Sequence, residues 1–242
     1  MTSKASATGI PGTDKIFFEA WDHVTKSSPE KLKPAYVEKN FSEVCELLFY
    51  ETYSIYQKYE KKALEDMSDN VLKKYGKETY THNDVKKILR EATVEASLLE
   101  KSLKQSRASR AGKAFELIVS KLLQTMGIPH EKVTIEDKKT GLRLIDMVIP
   151  DTKTAIKDPD QARFLSLKTS LKDRWKLAVE DQKQGQRTYL LTLLQNEKLT
   201  KEVAEKIVTA GIILYVPDKI KDEQFTNKSG IRKLSDLPRN LK

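Results

Sequence analysis

The sequence has a single cysteine, Cys45, among its 242 residues. An internal disulfide is therefore excluded, and a reducing compartment suits the chain. No apolar run approaches the roughly 20 residues that a membrane-spanning helix needs. The first residues, Met1 to Ser6, lack the apolar segment of a secretory signal peptide. These absences predict a cytoplasmic protein with no membrane partner.

Internal repeats and low-complexity tracts are also absent, and the composition is that of a well-solvated protein, with 38% hydrophobic and 33% charged residues. The length suits one sizeable domain, or one domain with a helical appendage. The formal net charge is +9. Residues 1–100 carry 15 Lys/Arg and 17 Asp/Glu, whereas residues 101–242 carry 29 and 18. The basic excess in the second part favours binding of a polyanion, although a generally lysine-rich surface would give the same numbers.

The first hundred residues have the apolar spacing of helices. Thr13 could cap the first helix, and Thr81 with Asp84 resembles a capping box at the start of the last one. Helices are predicted over residues 41–59, 60–75 and 82–105. A strongly apolar helix is predicted to follow over residues 115–123, closed by Gly127 and Pro129.

After residue 130 the pattern alternates between strands and helices. Strands are predicted near residues 132–136, 143–149, 162–168, 188–194 and 211–216. Helices are predicted over residues 172–184 and 199–209, and a short one near the end. This alternation predicts an α/β core with a partly parallel sheet. We therefore expect a helical N-terminal region, residues 1–104, and an α/β region, residues 105–242.

An aromatic stripe marks the second predicted helix, with Phe49, Tyr50, Tyr53, Tyr56 and Tyr59. A stripe at this spacing usually belongs to a core. The alternative is that one ring stacks on a nucleic-acid base.

Two apolar strands of the predicted sheet each contain a charge. Asp146 interrupts one strand, and Lys168 ends the other. A lysine that ends an apolar run needs an anionic partner, because burial of an unpaired ammonium is costly. With Glu116 from the apolar helix, the two residues could form a site for phosphodiester cleavage, where carboxylates hold Mg²⁺ and a cation meets the phosphate. The spacing alone is weak support for this hypothesis.

A series of cations at three-residue spacing precedes Glu116. Its members are Lys101, Lys104, Arg107, Arg110 and Lys113. Such a series is usually a solvated helix face. Few anions balance residues 106–112, however, and that favours contact with phosphates.

Taken together, these segments resemble type II restriction endonucleases of the PD-(D/E)xK superfamily, specifically the EcoRII and PspGI group. The resemblance is carried by residues 106–116, by Ile145-Asp146, and by residues 166–175, Ser-Leu-Lys-Thr-Ser-Leu-Lys-Asp-Arg-Trp. It spans roughly residues 105–195. The fold that it implies is a mixed central sheet flanked by helices, with an all-helical N-terminal region.

The resemblance implies that Asp146 is the metal-binding acid and Lys168 the catalytic lysine. Glu116 and Leu167 would belong to the metal site as well. The position two before the lysine, acidic in many superfamily members, is Ser166, as in this subgroup.

A further family acid is a glutamate thirteen positions after the lysine, where this sequence has Asp181. Glu180 lies beside it, and adjacent positions differ by ~100° around a helix, so both cannot serve equally. Register favours Asp181, and residue type favours Glu180.

The segment Lys172, Asp173 and Arg174 matches the part of the family that reads G·C pairs in the major groove. Lysine or arginine donates to guanine, and aspartate accepts from cytosine. Gln105 matches a residue that faces the inner bases. The residues expected at DNA phosphates are Arg107, Arg110, Lys113, Thr169 and Ser170.

The resemblance implies a Mg²⁺-dependent homodimer in the cytoplasm of a prokaryote that cuts double-stranded DNA and takes no small-molecule substrate. A CC/GG palindrome is expected, with CCWGG favoured over CCNGG. Two alternatives are a structure-directed repair or junction nuclease on the same fold and a binding module without catalysis, since fold alone does not decide function.

Overall fold

The computed structural model describes residues 9–76, 79–139, 142–171, 174–180, 186–194 and 199–242. The α-helices in these ranges are α1 (Thr13–Ser27), α2 (Pro34–Lys39), α3 (Phe41–Lys73), α4 (His82–Thr125), α5 (Ile135–Lys139), α6 (Thr152–Lys157), α7 (Arg174–Glu180), α8 (Lys201–Thr209), α9 (Asp218–Gln224) and α10 (Leu237–Leu241). The strands are β1 (Glu131–Lys132), β2 (Met147–Ile149), β3 (Arg163–Lys168), β4 (Thr188–Thr192), β5 (Ile213–Val216) and β6 (Ile231–Lys233).

The N-terminal region is helical, as predicted, but its helices are longer than the sequence pattern suggested. The expected break near residue 59 is wrong, because α3 is one helix of 33 residues. Neither Gly nor Pro occurs within it to end the helix. Thr13 is the first helical residue rather than the cap, and Gly12 occupies the cap position without a side-chain bond.

The helix α4 is the longest element, at 44 residues, or about 66 Å at 1.5 Å per residue. The predicted capping box at its start is confirmed: the Asp84 N–H donates to the Thr81 hydroxyl at 3.2 Å, and the Thr81 N–H donates to the Asp84 carboxylate at 3.0 Å. The change of composition at Gln105 is not a structural boundary. The predicted division at residues 104 and 105 therefore falls inside α4.

The sheet is mixed, as expected from the alternating pattern. Its strands lie in the order of the sequence, β1 to β6. Strands β1, β2 and β3 pair antiparallel, whereas β3, β4, β5 and β6 pair parallel. The strand predicted over 132–136 is shorter than expected, because α5 begins at Ile135. The strand β6 and the helix α6 were not predicted.

Alternate residues of the central strands face two different cores. Leu165, Leu167 and Leu191 face the side on which α1, α3 and α4 pack. Leu190 and Leu214 face the other side, where α8 packs. This alternation fixes the strand register, since a slip of one residue would exchange the two faces. The N-terminal helices thus share one hydrophobic core with the sheet.

No helix among the described residues is long and apolar enough to cross a membrane. Ion pairs add to the apolar packing between the long helices. The Arg107 guanidinium on α4 donates to the Glu60 carboxylate on α3 at 2.8 Å and to Glu100 at 2.9 Å. The Glu60 side chain is only 12% exposed. These two carboxylates raise the pKa of Arg107, so the ion pairs join α3 to α4 beside the apolar contacts of Leu103.

The first prediction concerns this link. Glu60→Gln removes the half of the pair that is shielded from water, and we expect the melting temperature to fall by about 2–4 °C. Glu65→Gln is the matched control, because its carboxylate is 62% exposed and lies 3.9 Å from Lys61. Thermal unfolding monitored by circular dichroism measures both. Equal melting temperatures for the two variants would contradict a stabilising role for the Glu60–Arg107 pair.

Candidate active site

Two adjacent strands bring Asp146 and Lys168 together. Asp146 directly precedes β2, and its N–H donates to the Leu165 carbonyl on β3 at 2.9 Å. The Oδ2 atom of Asp146 accepts two hydrogen bonds, from the Leu167 N–H at 2.7 Å and from the Lys168 Nζ at 2.8 Å. The anionic partner that the sequence required for Lys168 is therefore Asp146.

Most of this ion pair is removed from water. The side chain of Asp146 is 11% exposed, and that of Lys168 is 17% exposed. A buried pair is tolerated only when its geometry is good and further hydrogen bonds satisfy the charged atoms. The Leu167 N–H supplies such a bond, so the carboxylate is held in one orientation from two directions.

Glu116 lies on α4, half-buried, near the same pair. Burial raises the pKa of its carboxyl, and the Asp146 carboxylate raises it further. The ammonium groups of Lys132, Lys168 and Lys138 act in the opposite direction. Because these effects weaken with distance, they indicate that Glu116 and Asp146 belong to one charged cluster.

The two acids suit a hard cation. Mg²⁺ typically binds one or two carboxylates and completes its shell with water or phosphate oxygens. Within the described ranges, no group of three or more His, Cys, Asp or Glu side chains is placed to hold a metal. Glu116 and Asp146 are the acids available there, and Leu167 contributes through its N–H, which orients Asp146.

The helix acid lies at the end of α7. Glu180 is the last residue of this helix and is exposed. Asp181 lies outside the described residues. The choice between the two stays a prediction.

The expected base-reading segment lies between two anchored positions. Leu171 is buried, and its carbonyl accepts the N–H of Trp175 at 3.2 Å. Trp175 packs against the apolar cluster of Leu171 and α8. Lys172 and Asp173 lie outside the described residues, and Arg174 is described only as the first residue of α7.

The residues expected at DNA phosphates have different surroundings. Arg107 is held by Glu60 and Glu100, as described above. Arg110 donates to the Pro11 carbonyl at 2.7 Å. Lys113 lies 2.8 Å from Asp14 in an exposed pair, which a phosphate could replace at small cost.

Three other predicted contacts lie nearby in the sequence. Thr169 is buried, Ser170 is half-buried, and Gln105 is exposed on α4. Their roles toward DNA stay predictions.

A cavity of about 970 Å³ opens between α1, α3 and α4. It is lined by Thr13, Ile16, Phe49, Tyr50, Thr52, Tyr53, Tyr56, Lys104, Arg107, Ala108, Arg110, Ala111, Ala114 and Thr169. The aromatic stripe therefore divides: Phe49 and Tyr56 are buried, whereas Tyr50 and Tyr53 are 68% and 46% exposed. The Arg110 guanidinium lies 5.4 Å from the centre of the Tyr56 ring. The rings lie on α3 and the cations on α4, and together they suit a planar, electron-rich group.

Sequence reasoning missed three residues beside this site. Ser120 and His130 join α4 to the start of β1 through a hydrogen bond of 2.8 Å. Lys132 lies on β1, and its ammonium lowers the pKa of the Glu116 carboxyl. A two-residue polar strand has no periodicity, so no sequence signal could have identified them.

Comparison with known proteins identifies the family and the fold. The family model described as EcoRII C terminal matches residues 72–235. The type II restriction enzyme SsoII of Shigella sonnei is 28% identical over 141 residues, which are 55% of this chain and 45% of that protein. The chain thus spans about half the length of this curated relative.

Two solved structures share the fold. Metal-depleted Ecl18kI in complex with uncleaved DNA superimposes with a TM-score of 0.79 at 20% identity, over 96% of this chain and 78% of that one. The complex of restriction endonuclease PspGI with substrate DNA superimposes with a TM-score of 0.68 at 23% identity, over 99% and 95%. The resemblance and the fold predicted from the sequence are confirmed, and the chain belongs to the EcoRII C-terminal family.

Proposed function

We propose that the chain is a type II restriction endonuclease, a metal-dependent homodimer that cuts both strands of DNA at a short palindrome with CC/GG flanks. The observation that carries this proposal is the Asp146 carboxylate held between the Leu167 N–H and the Lys168 ammonium, with Glu116 in the same cluster. Membership of the family and the DNA-bound relatives support it. A twofold protein on a twofold site is the expected symmetry.

Each group has a role in hydrolysis. Glu116 and Asp146 would hold Mg²⁺, which activates water and stabilises the leaving oxygen when bound. The Leu167 N–H fixes the orientation of Asp146. The Lys168 ammonium lies beside Asp146, where the scissile phosphate would bind. It would offset the negative charge of that phosphate. Asp181 or Glu180 would complete the acids from the end of α7.

The direct test is digestion of plasmid DNA with Mg²⁺, followed by sequencing of the fragment ends. Discrete bands with CC/GG ends are expected. Nicking limited to junctions would favour a structure-directed nuclease, and intact plasmid would favour a binding module.

The second prediction concerns catalysis in that digest. Asp146→Asn and Lys168→Gln are expected to slow cleavage by more than ~100-fold, because each removes a charge at the reacting phosphate. Arg163→Gln is the matched control at the other end of β3, where the partners of Arg163 among the described residues are backbone carbonyls. Asp181→Ala should cost more than Glu180→Ala. Full-rate cleavage by either strand variant would overturn the assignment of the site.

The third prediction separates base contacts from phosphate contacts. Lys172→Ala, Asp173→Ala and Arg174→Ala should each lose ~1–3 kcal/mol of discrimination at the G·C flanks. Lys113→Ala should weaken binding to all sequences alike and reduce the salt slope by about 1. Equilibrium binding without metal, to duplexes with intact and altered flanks, measures both effects. Uniform weakening by the first three variants would assign them to phosphates.

For the centre of the site we propose CCWGG, with CCNGG as the alternative. The support is family likeness: the segment after Lys168 reads Lys-Asp-Arg-Trp, as in members with that specificity. This segment would contact only the outer pairs, so another part of the chain must discriminate at the centre. The cavity beside α3 is a candidate, because Tyr53 could stack on a central base that leaves the helix, and A·T pairs open more easily than G·C pairs.

The fourth prediction tests that cavity with duplexes that differ only at the central pair. The unmodified chain should cut CCAGG at least ~10-fold faster than CCGGG, because an A·T pair opens at a lower free-energy cost than a G·C pair. Tyr53→Ala should lower this ratio, and Tyr53→Phe should keep it. Tyr80→Ala is the control, since Tyr80 is comparably exposed at 43% but does not line the cavity. Equal cutting of both duplexes by the unmodified chain would defeat CCWGG.

A further inference from the structure

The helix α4 and the short strand β1 meet along a seam beside the active site. The turn between them includes Gly127 at φ +70°, a conformation that favours glycine. At the far end of the seam, the His130 Nε2 lies 2.8 Å from the Ser120 Oγ. The His130 Nδ1 faces the Ile128 carbonyl at 3.0 Å. In a neutral ring, Nδ1 therefore donates to the carbonyl and Nε2 accepts from the serine hydroxyl.

The same two elements carry a second pair of residues, Glu116 on α4 and Lys132 on β1. Ser120 lies one helical turn after Glu116, about 6 Å along the axis. Lys132 lies on β1, which begins directly after His130, and it pairs with Met147 on β2. Paired residues point to the same face of a sheet, and Met147 faces the core on which α4 packs. Lys132 therefore lies on the face of the sheet that α4, with Glu116, covers.

Two lysines in this part of the structure already have acidic partners. Lys113 pairs with Asp14 at 2.8 Å, and Lys168 pairs with Asp146 at 2.8 Å. Among the cations that lower the pKa of the Glu116 carboxyl, Lys132 has the largest effect, ahead of Lys168.

We propose that Lys132 is a positioning residue: its ammonium is the counter-ion that keeps Glu116 and Asp146 side by side when no metal is bound. The inference deepens the proposed function and rests on it, since the two acids are the proposed metal ligands. Two neighbouring carboxylates repel each other. Lys168 already forms an ion pair with Asp146, so a second cation is required to balance the charge of Glu116.

The Ser120–His130 hydrogen bond explains how a strand of two residues can hold Lys132 in place. Part of Lys132 is exposed, although burial lowers the pKa of its ammonium while the Glu116 carboxylate raises it. Such a lysine gains little from holding one geometry unless the backbone places it there. The backbone is placed from two sides. The Val133 N–H donates to the Asp146 carbonyl at 3.1 Å, and the Ser120–His130 bond fixes the other end. Lys132 is thus tied to both elements that carry the acids.

The fifth prediction is a double-mutant cycle on the metal-free protein, measured by thermal unfolding in a chelator at low salt. Lys132→Gln should lower the melting temperature by about 1–3 °C when Glu116 is present. In a Glu116→Gln background the same change should have little effect, because the charge that it balances is gone. Lys132→Arg should restore the value. Lys139→Gln, on α5, is the charge-matched control and should leave the melting temperature unchanged.

Melting temperatures at high salt and with Mg²⁺ provide two further tests. High salt should shrink the effect of Lys132→Gln. Mg²⁺ should raise the melting temperature more in Lys132→Gln than in the unmodified chain, since the metal then supplies the missing positive charge. Lys132→Met repeats the charge loss while keeping most of the aliphatic stem, in case the glutamine variant folds poorly.

The outcomes separate this inference from the proposed function. An equal effect of Lys132→Gln in both backgrounds, or an effect no larger than that of Lys139→Gln, would overturn the role of Lys132 even if the protein cuts DNA. Coupling between Lys132 and Glu116 in a protein that cuts no DNA would support the counter-ion and overturn the nuclease proposal.

Discussion

A lysine that ends a buried strand needs a fixed anion, and much of the structure follows from that requirement. Lys168 is 17% exposed and meets Asp146 at 2.8 Å. The pairing depends on the antiparallel register of β2 and β3, which places Met147 opposite Leu165. A slip of one residue would move Asp146 away from the Leu167 N–H and expose the apolar face of the strand. The core that fixes the register therefore also fixes the charged pair.

The long helix α4 extends this constraint to the rest of the chain. Its C-terminal half packs on the sheet through Phe115, Ile118 and Leu122, which are fully buried. Glu116 lies within this packed segment, so the core sets its distance from Asp146. The same helix forms one wall of the aromatic cavity through Arg110 and its neighbours. A single helix thereby connects the acids proposed to bind the metal with the surface proposed to read the central bases.

Several features could be predicted because they depend on local pattern. Strand and helix alternation after residue 130 predicted the mixed α/β sheet, and the spacing of Thr81 and Asp84 predicted the cap of α4. The lysine at the end of an apolar run required an acid, and the run around Asp146 offered one. The lengths of α3 and α4 were not predicted. The break expected near residue 59 has no helix breaker, and the change in composition at residue 105 resembles a boundary although the helix continues through it.

The sequence by itself determined the family, through the resemblance of residues 106–116, 145–146 and 166–175, and the type of sheet, through its periodicity. The cost of burying a charge also predicted that Lys168 has an anionic partner. Only the tertiary structure decided which partners the other charges have. Arg107 pairs with Glu60, 47 residues away, and Lys113 pairs with Asp14, 99 residues away. Such contacts join elements distant in sequence, and the spacing of residues along a chain does not indicate which surfaces will meet.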